Sequence, residues 1–337
     1  MAAPRTGFTV LGAGSWGTAL AAQLARAGHA VTLWARDPEH VARMAASHTN
    51  PRYLPDVALP PTLTFEADLE LAVQAGRDLL VCVPSAHFSG LVQRITPLLS
   101  AQQRLLWATK GLEPDSRRLL HEVVAEAVGA SRPTAVLSGP TFAGEVARGM
   151  ATAVTIASHH ADYAAELAHA FSDQYFRAYT SDDMVGVQLG GAVKNVLAIA
   201  AGVADGLGLG ANSRAALVTR GLAEMMRLGE RMGGQATTFM GLAGLGDLVL
   251  TCTDDQSRNR RFGLALGRGA SVAEARASID QVVEGAETVR EVHALATEHA
   301  VEMPITEQVF AVLYQGVSPQ AAAHALLARE LKPEVYP

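Results

Sequence analysis

The sequence has 337 residues, a length that usually makes about two domains, and 49% of its residues are hydrophobic, which is enough for full-sized cores. A formal net charge of −6 argues against general binding to nucleic acid, so local basic clusters are expected to bind small anions. The most apolar stretch, near residues 189–203, is interrupted by Lys194 and Asn195, so no membrane insertion is expected and a cytoplasmic protein is the simplest interpretation.

The first predicted strand, residues 8–11, leads into a turn with glycine at positions 12, 14 and 17. In a dinucleotide-binding turn of this spacing, Gly12 permits the tight bend and Gly14 lets the backbone approach a pyrophosphate, while Gly17 lets the following helix pack on the strand. That helix is expected to be capped by Ser15 and to offer unpaired N–H groups to the anion. The turn therefore predicts a nucleotide cofactor.

Strand and helix patterns alternate through residue 180 and then give way to helices alone. Strands are predicted near 8–11, 30–35, 79–83, 105–109, 134–138, 152–157 and 175–179. Later helices are predicted over 184–203, 212–232, 257–268, 271–277, 285–299, 305–315 and 318–328. We therefore expect residues 1–182 to form a Rossmann-like NAD(P)-binding domain with a doubly wound, mainly parallel sheet, and residues 183–337 to form an all-helical substrate-binding and catalytic domain. Ligands are expected beyond the carboxyl ends of the strands, in a cleft against the helical domain.

The end of the second strand indicates which nicotinamide cofactor is used. An NAD-selective site usually has an acidic residue there that accepts hydrogen bonds from the ribose hydroxyls. If Ala35 occupies that position, nothing repels a 2′-phosphate and Arg36 can pair with it, so NADPH is preferred over NADH. The alternative is that Arg36 pairs with Asp37 on the surface and that a shift of one residue makes Asp37 the ribose acceptor.

Three segments place polar groups after predicted strands or turns. Lys110 follows the strand at 105–109, at the mouth of the expected cleft, although simple solvation explains a lysine there equally well. A Gly-Pro turn follows the strand at 134–138 and offers backbone N–H groups and the Thr141 hydroxyl to an anion or a polar substrate. Asp247 follows a glycine-rich turn.

Lys194 is the lone charge on a predicted apolar helix. Its neighbours one turn away are Gly190, Gly191, Leu197 and Ala198. These small or apolar residues would solvate the ammonium poorly and leave access for a ligand. Poor solvation favours the neutral amine, which suits proton exchange with a substrate hydroxyl near neutral pH. The alternative is that Lys194 extends out of a buried helix to reach water.

A basic cluster contains three arginines within four residues, which repel one another unless an anion or an acid draws them together. Ser257 is expected to cap a helix whose N-terminus, with Arg258 and Asn259, binds a phosphate. Arg260 and Arg261 are expected to face solvent or acidic partners. Neither the two cysteines nor the eleven histidines have the spacing of metal ligands, so no metal site is expected.

Seven ordered segments closely resemble bacterial NAD(P)-dependent glycerol-3-phosphate dehydrogenases, and the resemblance spans nearly the whole chain. They are GAGSWGTALA at 12–21, NPRYLP at 50–55, ATKGL at 108–112, SGPTFA at 138–143, GGAVKNVLAIAAG at 190–202, GLGDLVLTCT at 244–253 and SRNRRFG at 257–263, and VVEG at 282–285 is similar to an eighth. The resemblance implies a helical second domain of the 6-phosphogluconate dehydrogenase-like type. It also implies the reversible reduction of glycerone phosphate (dihydroxyacetone phosphate) to sn-glycerol 3-phosphate for phospholipid synthesis, with hydride transfer between NADP(H), or NAD(H) as a second cofactor, and substrate C2.

The resemblance further implies roles for individual residues. Lys194 would exchange the proton at the C2 oxygen, Lys110 would polarise and orient the substrate, and Asp247 would bind a substrate hydroxyl or position Lys194. Substrate contacts are implied for Lys110, Gly139, Thr141, Lys194, Asp247, Ser257, Arg258 and Asn259. Cofactor contacts are implied for Gly12, Gly14, Ser15, Trp16, Gly17, Arg36, Tyr53, Lys110, Ala143, Arg258, Val282 and Glu284.

Two other functions fit the sequence less well. A reductase of another small oxo acid would bind a substrate carboxylate in place of the phosphate. A non-catalytic NADP sensor would need no proton donor beside a phosphate-binding cluster.

Whichever function applies, a homodimer is expected, because a helical domain of the predicted size can supply a dimer face.

Overall fold

A computed structural model describes residues 7–114, 116–279 and 281–330 of the chain. By compactness, the described residues divide into a first unit, within Met1–Ala192 and Met232–Asp247, and a second unit, within Val193–Arg231 and Leu248–Pro337. The predicted domain boundary between residues 182 and 183 stays a prediction.

The strands and helices follow one another in chain order. The strands are β1 (Gly7–Leu11), β2 (Ala30–Trp34), β3 (Thr49–Asn50), β4 (Leu54–Ala58), β5 (Leu63–Glu66), β6 (Asp78–Val81), β7 (Arg104–Trp107), β8 (Thr134–Ser138), β9 (Thr152–Ala157) and β10 (Phe176–Ser181). The helices of the first 200 residues are α1 (Ser15–Arg26), α2 (Pro38–Ser47), α3 (Leu69–Ala75), α4 (Ser85–Ile95), α5 (Leu120–Val128), α6 (Ala143–Ala147), α7 (Ala161–Phe171) and α8 (Met184–Gly206), with a 3₁₀ turn at Thr96–Leu98. The later helices are α9 (Gly210–Arg231), α10 (Ala236–Phe239), α11 (Asp247–Thr253), α12 (Arg258–Gly267), α13 (Val272–Ala277), α14 (Glu284–Glu298), α15 (Pro304–Tyr314) and α16 (Pro319–Leu327), with a π-helical turn at Leu242–Gly246.

The first unit is built on an eight-stranded sheet in the order β10-β9-β8-β7-β6-β1-β2-β5. Neighbouring strands run parallel except for β9, which is antiparallel to β8. All seven predicted strands occur within two residues of their expected bounds, so the predicted mainly parallel sheet is confirmed. The sequence did not predict β5 or the separate antiparallel pair of β3 and β4, because prolines at positions 51, 55, 60 and 61 indicate turns throughout this stretch.

Helices cover both faces of the sheet, as predicted. Phe8 and Val10 of β1 pack in one hydrophobic cluster with residues of α1 and α7. Leu11, on the opposite face of the same strand, packs in a second cluster with residues of α3, α4 and α5. This alternation is the period-2 pattern of a strand buried on both sides.

The parallel strands β1, β7 and β8 bring their carboxyl ends to one edge of the sheet. The turn from Gly12 to Gly17 follows β1, Lys110 comes shortly after β7, and Gly139 directly follows β8. Sequence segments more than a hundred residues apart therefore meet at the edge where ligands bind in sheets of this kind.

Among the described residues of the second unit, all regular secondary structure is helical. Each helix predicted after residue 183 is present, with ends that differ from the prediction by three residues or fewer. Residues 236–253 form α10, the π-helical turn and α11, for which there was no prediction, and of these α10 and the π-helical turn belong to the first unit. Helices α8 and α12 make backbone contact, since a Cβ atom at Gly202 would lie 2.0 Å from the Arg260 carbonyl oxygen and one at Gly263 would lie 2.0 Å from the Ile199 carbonyl oxygen.

Two stretches, Met184–Gly206 and Ala236–Thr253, have the length and apolar composition of a membrane span. In the first, 94% of the apolar window is buried inside the protein, which is the property of a core helix. The second is composed of three consecutive pieces, α10, the π-helical turn and α11.

Candidate active site

The glycine turn after β1 has the geometry that its spacing predicted. Gly12 has a φ of +121°, and a Cβ atom there would lie 2.6 Å from the Cys82 carbonyl oxygen. A Cβ atom at Gly17 would lie 1.9 Å from the Gly12 carbonyl oxygen, so glycine is required for α1 to pack this close to the turn. Around Gly14, in contrast, an added Cβ atom would meet nothing within 4 Å. The first and third glycines therefore serve the fold, whereas the second leaves the backbone accessible.

The predicted cap of α1 is wrong. Gly14 is the N-cap residue, with extended backbone angles and no side-chain hydrogen bond, and Ser15 is the first residue of the helix. The Ser15 hydroxyl instead donates to the carbonyl oxygen of Tyr53, 3.0 Å away. No side chain therefore caps the N–H groups in the first turn of α1.

A residue that the sequence analysis did not identify holds this turn in place. Asn50 is fully buried, and its side-chain amide donates to the Ala13 carbonyl oxygen at 3.0 Å and to the Thr18 hydroxyl at 2.8 Å. Asn50 belongs to the NPRYLP segment, where an Asn-Pro pair signals a turn. That signal gives no indication of the two long-range hydrogen bonds.

Two further predicted cofactor residues lie against the same core of the first unit. Trp16 and Ala143 are partly buried and pack on the cluster that contains Phe8. The Trp16 indole N–H is buried and has no hydrogen-bond partner among the described residues. A buried donor of this kind is uncommon in a native protein.

At the end of β2, the candidate cofactor-selecting residues Ala35, Arg36 and Asp37 have different surroundings. Ala35 is buried, and Arg36 is exposed. The Asp37 carboxylate caps α2 by accepting hydrogen bonds from the backbone N–H groups of Glu39, at 3.1 Å, and His40, at 3.3 Å. The one acidic side chain at this strand end is thus engaged with its own helix.

Lys110 forms a nearly buried ion pair. Its Nζ lies 2.5 Å from Oδ2 of Asp247 and 3.2 Å from the carbonyl oxygen of Gly139. The two side chains of the pair are only 12% and 1% exposed, so the alternative that Lys110 is simply solvated is wrong. An ammonium has three N–H donors, and the contacts seen among the described residues use two of them, which leaves one for a substrate oxygen.

The Gly-Pro turn after β8 lies beside this pair. Gly139 has a φ of +150°, and its carbonyl oxygen also accepts a hydrogen bond of 3.1 Å from the Thr141 hydroxyl. A Cβ atom at Gly191 of α8 would lie 3.0 Å from the Ser138 hydroxyl and 3.5 Å from Cγ of Lys110. At Gly190 it would lie 2.4 Å from a backbone oxygen, so the predicted small-residue face of α8 is occupied by neighbouring segments at these two positions.

Lys194 lies one turn further along α8 and is 6% exposed. Its Nζ donates a hydrogen bond of 2.9 Å to the hydroxyl of Thr251, which is 4% exposed. The alternative in which Lys194 reaches out to water is therefore wrong. Thr251 is a second residue that the sequence analysis missed, although its position four residues after Asp247 places both on the same face of α11.

The cluster at the start of α12 has the predicted cap. The Ser257 hydroxyl accepts a hydrogen bond of 3.2 Å from the backbone N–H of Arg260. Arg258 donates through Nη1 to the side-chain oxygen of Gln281 at 3.0 Å. The side-chain oxygen of Asn259 accepts a hydrogen bond of 3.0 Å from the backbone N–H of Gly285, so its amide N–H₂ group points away from this contact.

The other arginines of the cluster behave as predicted. Arg260 pairs with the carboxylates of Asp205 and Asp255, whereas Arg261 is exposed. The last two predicted cofactor residues are at the beginning of α14: Val282 is 53% exposed, and the partly buried Glu284 is the first residue of the helix.

Comparison with known proteins identifies the family. A model described as the N-terminus of NAD-dependent glycerol-3-phosphate dehydrogenase matches residues 7–164, and one described as its C-terminus matches residues 183–324. Glycerol-3-phosphate dehydrogenase (NAD(P)+) from Aeromonas salmonicida is 56% identical over 333 residues, which cover 98% of this chain and all of the relative. The corresponding protein from Photobacterium profundum is 57% identical over 328 residues and 97% of each chain.

Solved structures agree with this result. The crystal structure of glycerol-3-phosphate dehydrogenase from Coxiella burnetii has a TM-score of 0.93 and 51% identity, covering 96% of this chain and 99% of that one. A ketopantoate reductase from Ralstonia eutropha, with a TM-score of 0.58 and 19% identity over 94% of this chain and 99% of that one, shares the fold alone. The chain therefore belongs to the NAD(P)-dependent glycerol-3-phosphate dehydrogenases, a family of oxidoreductases with a Rossmann-like first domain and a helical second domain.

Proposed function

We propose that the protein catalyses the reversible reduction of glycerone phosphate to sn-glycerol 3-phosphate in the cytoplasm, with NADPH preferred over NADH, and so supplies glycerol phosphate for phospholipid synthesis. Family membership supports this reaction. Within the structure, the observation that carries the proposal is the buried pair of Lys110 and Asp247, which lies at the same sheet edge as the glycine turn. Such a pair offers an oriented N–H donor to a polar substrate next to the cofactor site.

The first unit fits a dinucleotide. Open space at Gly14 and the uncapped first turn of α1 would receive the pyrophosphate, and Trp16, in the same turn, is proposed as a further contact. Ser15, Tyr53 and Ala143 would contact the cofactor from the same side, and Lys110, Arg258, Val282 and Glu284 are proposed as the remaining contacts. When bound, the nicotinamide supplies or accepts the hydride.

The preference for NADPH rests on the end of β2. Asp37 uses its carboxylate to cap α2, so it is a poor candidate for the ribose hydroxyls, and the buried Ala35 has no group to offer. Arg36 is exposed and carries a guanidinium group, so it would pair with the 2′-phosphate. Burial lowers the pKa of the neighbouring His40, and the charges of Arg43 and Arg52 lower it further, whereas Asp37 raises it.

Lys194 is proposed to exchange the proton at the C2 oxygen. In the reductive direction, negative charge develops on that oxygen, and an ammonium beside it both stabilises the charge and supplies the proton. The hydrogen bond from Nζ to Thr251 fixes the amine in one orientation, so little reorganisation is needed when the charge develops. Lys110 would polarise the carbonyl group, and Asp247 would hold Lys110 in place.

The phosphate of the substrate is proposed to bind at the start of α12. The capped helix N-terminus offers backbone N–H groups, and the N–H groups of Arg258 and Asn259 not used in their contacts with Gln281 and Gly285 complete the set. Thr141 and Gly139 would contact the glycerol end of the molecule.

The test is an absorbance assay at the nicotinamide band with purified protein. Glycerone phosphate is compared with a small oxo acid that carries a carboxylate, each with NADPH and with NADH. We expect oxidation of NADPH to depend on glycerone phosphate and to be slower with NADH. Turnover with the oxo acid and none with glycerone phosphate would overturn the proposal in favour of the oxo acid reductase.

We also propose that the protein is a homodimer. Sedimentation equilibrium should give twice the chain mass of 35.3 kDa. A mass of one chain across the accessible concentrations would contradict the proposal.

A further inference from the structure

Arg260 is an arginine of the basic cluster to which the proposed reaction gives no role. It is 8% exposed, and its Nη2 lies 2.6 Å from Oδ2 of Asp205 on α8. Its Nη1 pairs with Asp255, and its backbone N–H is held by the Ser257 hydroxyl. Arg260 therefore connects the first turn of α12 to the second half of α8.

This pair is nearly buried on both sides, with side chains 10% and 11% exposed. Burying two charges adds little net stability, because the loss of hydration roughly offsets their attraction. In some proteins such pairs instead specify one arrangement of the elements that they join. The Asp205 carboxylate also pairs with Arg214 of α9, whose Nη1 lies 2.9 Å and 3.0 Å from its two oxygens.

Part of the contact between α8 and α12 is made at glycines, where the two backbones approach each other closely. Gly202 faces the Arg260 carbonyl oxygen, and Gly263 faces the Ile199 carbonyl oxygen. A Cβ atom at Gly206 would likewise lie 2.8 Å from Cα of Gly267. Interlocking side-chain ridges normally set the relative position of two packed helices. Where glycines lie at the contact, the backbones fix the distance between the helices, and the ion pair opposes sliding along the axis.

Both helices carry groups of the proposed site. Lys194 lies eleven residues before Asp205 on α8, a rise of about 16 Å at about 1.5 Å per residue. Ser257, Arg258 and Asn259 lie at the beginning of α12, next to Arg260. The axial position of α12 along α8 therefore determines how far the phosphate-binding groups lie from the Lys194 amine.

We propose that Arg260 and Asp205 form a positioning pair that sets the distance between the phosphate-binding start of α12 and Lys194, so that the second unit accepts phosphomonoesters whose oxo carbon is adjacent to the phosphate-bearing carbon. This inference rests on the proposed function, which supplies the roles of Lys194 and of the start of α12. The pair would select substrates by their length, because a longer or shorter phosphomonoester could not contact both the start of α12 and the Lys194 amine.

The test compares a ligand that needs the distance with one that does not. Isothermal titration calorimetry, with saturating NADPH so that no turnover occurs, measures the affinity of sn-glycerol 3-phosphate and of inorganic phosphate. In Asp205→Asn we expect the affinity for sn-glycerol 3-phosphate to fall at least about tenfold, because the ligand could no longer contact the start of α12 and Lys194 at once. The affinity for inorganic phosphate should stay within about twofold, and kcat with glycerone phosphate should fall while KM for NADPH is unchanged.

Arg214→Gln is the matched control. It breaks an ion pair of similar geometry with the same carboxylate, but the pair leads to α9 and not to α12. Both affinities should remain within about twofold of the wild-type values. If Asp205→Asn does not fold, Asp205→Glu keeps the charge and lengthens the link by one methylene, and it should weaken sn-glycerol 3-phosphate at least about threefold and leave phosphate unchanged.

Two results would overturn the inference. Equal weakening of both ligands in the Asp205 variant would mean that the pair only supports the local structure of the phosphate site, and no weakening of either would mean that the register does not depend on it. Failure of the proposed function is a separate result, because it is seen in the wild-type protein as the absence of binding and turnover of the glycerol phosphates.

Discussion

Two glycines of the turn after β1, Gly17 and Gly14, should respond differently to alanine, and the structure gives the size of each response. A Cβ atom at Gly17 would lie 1.9 Å from the Gly12 carbonyl oxygen and 3.0 Å from the Cys82 side chain. To restore a contact of about 3.0 Å, α1 must move by about 1.1 Å, and the oxygen cannot yield because it belongs to the tight turn. Overpacking of this kind costs about 1–3 kcal/mol, and we expect the upper end for Gly17→Ala.

Gly14→Ala is the matched comparison, because the added methyl meets nothing within 4 Å and the φ of −74° is allowed for alanine. Its stability should be unchanged or higher by about 0.5 kcal/mol, since alanine has less freedom in the unfolded chain. The methyl would, however, occupy the space proposed for the pyrophosphate. We expect the Kd for NADPH to rise at least about tenfold.

Thermal unfolding and fluorescence titration with NADPH separate the two effects. At about 2–4 °C per kcal/mol for a domain of this size, Gly17→Ala should lower Tm by about 6–12 °C, whereas Gly14→Ala should not lower it. Wild-type affinity for NADPH in Gly14→Ala would refute the proposed approach of the cofactor at this position. An unchanged Tm in Gly17→Ala would refute the packing argument.

Three further predictions concern single side chains. Lys194→Met, which keeps the apolar stem, should lower kcat about 10²-fold or more with a native circular dichroism spectrum, and near-native turnover would exclude proton exchange by this residue. Arg36→Asp should shift the ratio of kcat/KM values toward NADH, and unchanged discrimination would show that the 2′-phosphate binds elsewhere. Burial raises the pKa of Glu224 to about 7 from 4.5, so the folded protein holds this proton more tightly than the unfolded chain. Its contribution to the free energy of unfolding is therefore full below about pH 4.5 and declines by roughly 3 kcal/mol as the pH rises to about 7. Glu224→Gln should abolish that part of the pH dependence, and identical Tm profiles for the variant and the wild type between pH 5 and 8 would contradict the assignment.

Much of the fold could be predicted because its signals are local. The strands of the large sheet are short apolar runs, and the helices of the second unit are separated by Gly and Pro, so both follow from the sequence pattern. The glycine turn was predictable for the same reason, since the spacing of its three glycines is a short local pattern. Where local signals conflict, as in the proline-rich stretch that forms β4 and β5, the prediction failed.

The site was harder to predict because its contacts join distant segments. Lys110 and Asp247 are 137 residues apart, and no spacing rule relates them. The sequence indicated that each is a candidate site residue but did not show that they form an ion pair. The buried amide of Asn50 and the hydroxyl of Thr251 were missed because a polar residue in a turn or on a helix is ordinarily solvated, and only the tertiary structure shows that these two are enclosed.

The hydrogen bonds of Asn50 have a consequence for the kinetics of cofactor binding. Together with the bond from Ser15 to Tyr53, they fix the glycine turn through contacts within the protein itself. The loss of backbone freedom in the turn accompanies folding and is not repeated when a dinucleotide arrives, so association is not delayed by ordering of the loop. The rate of cofactor capture should therefore be governed by diffusion and electrostatic attraction, and the rate of release by the contacts that the bound molecule makes.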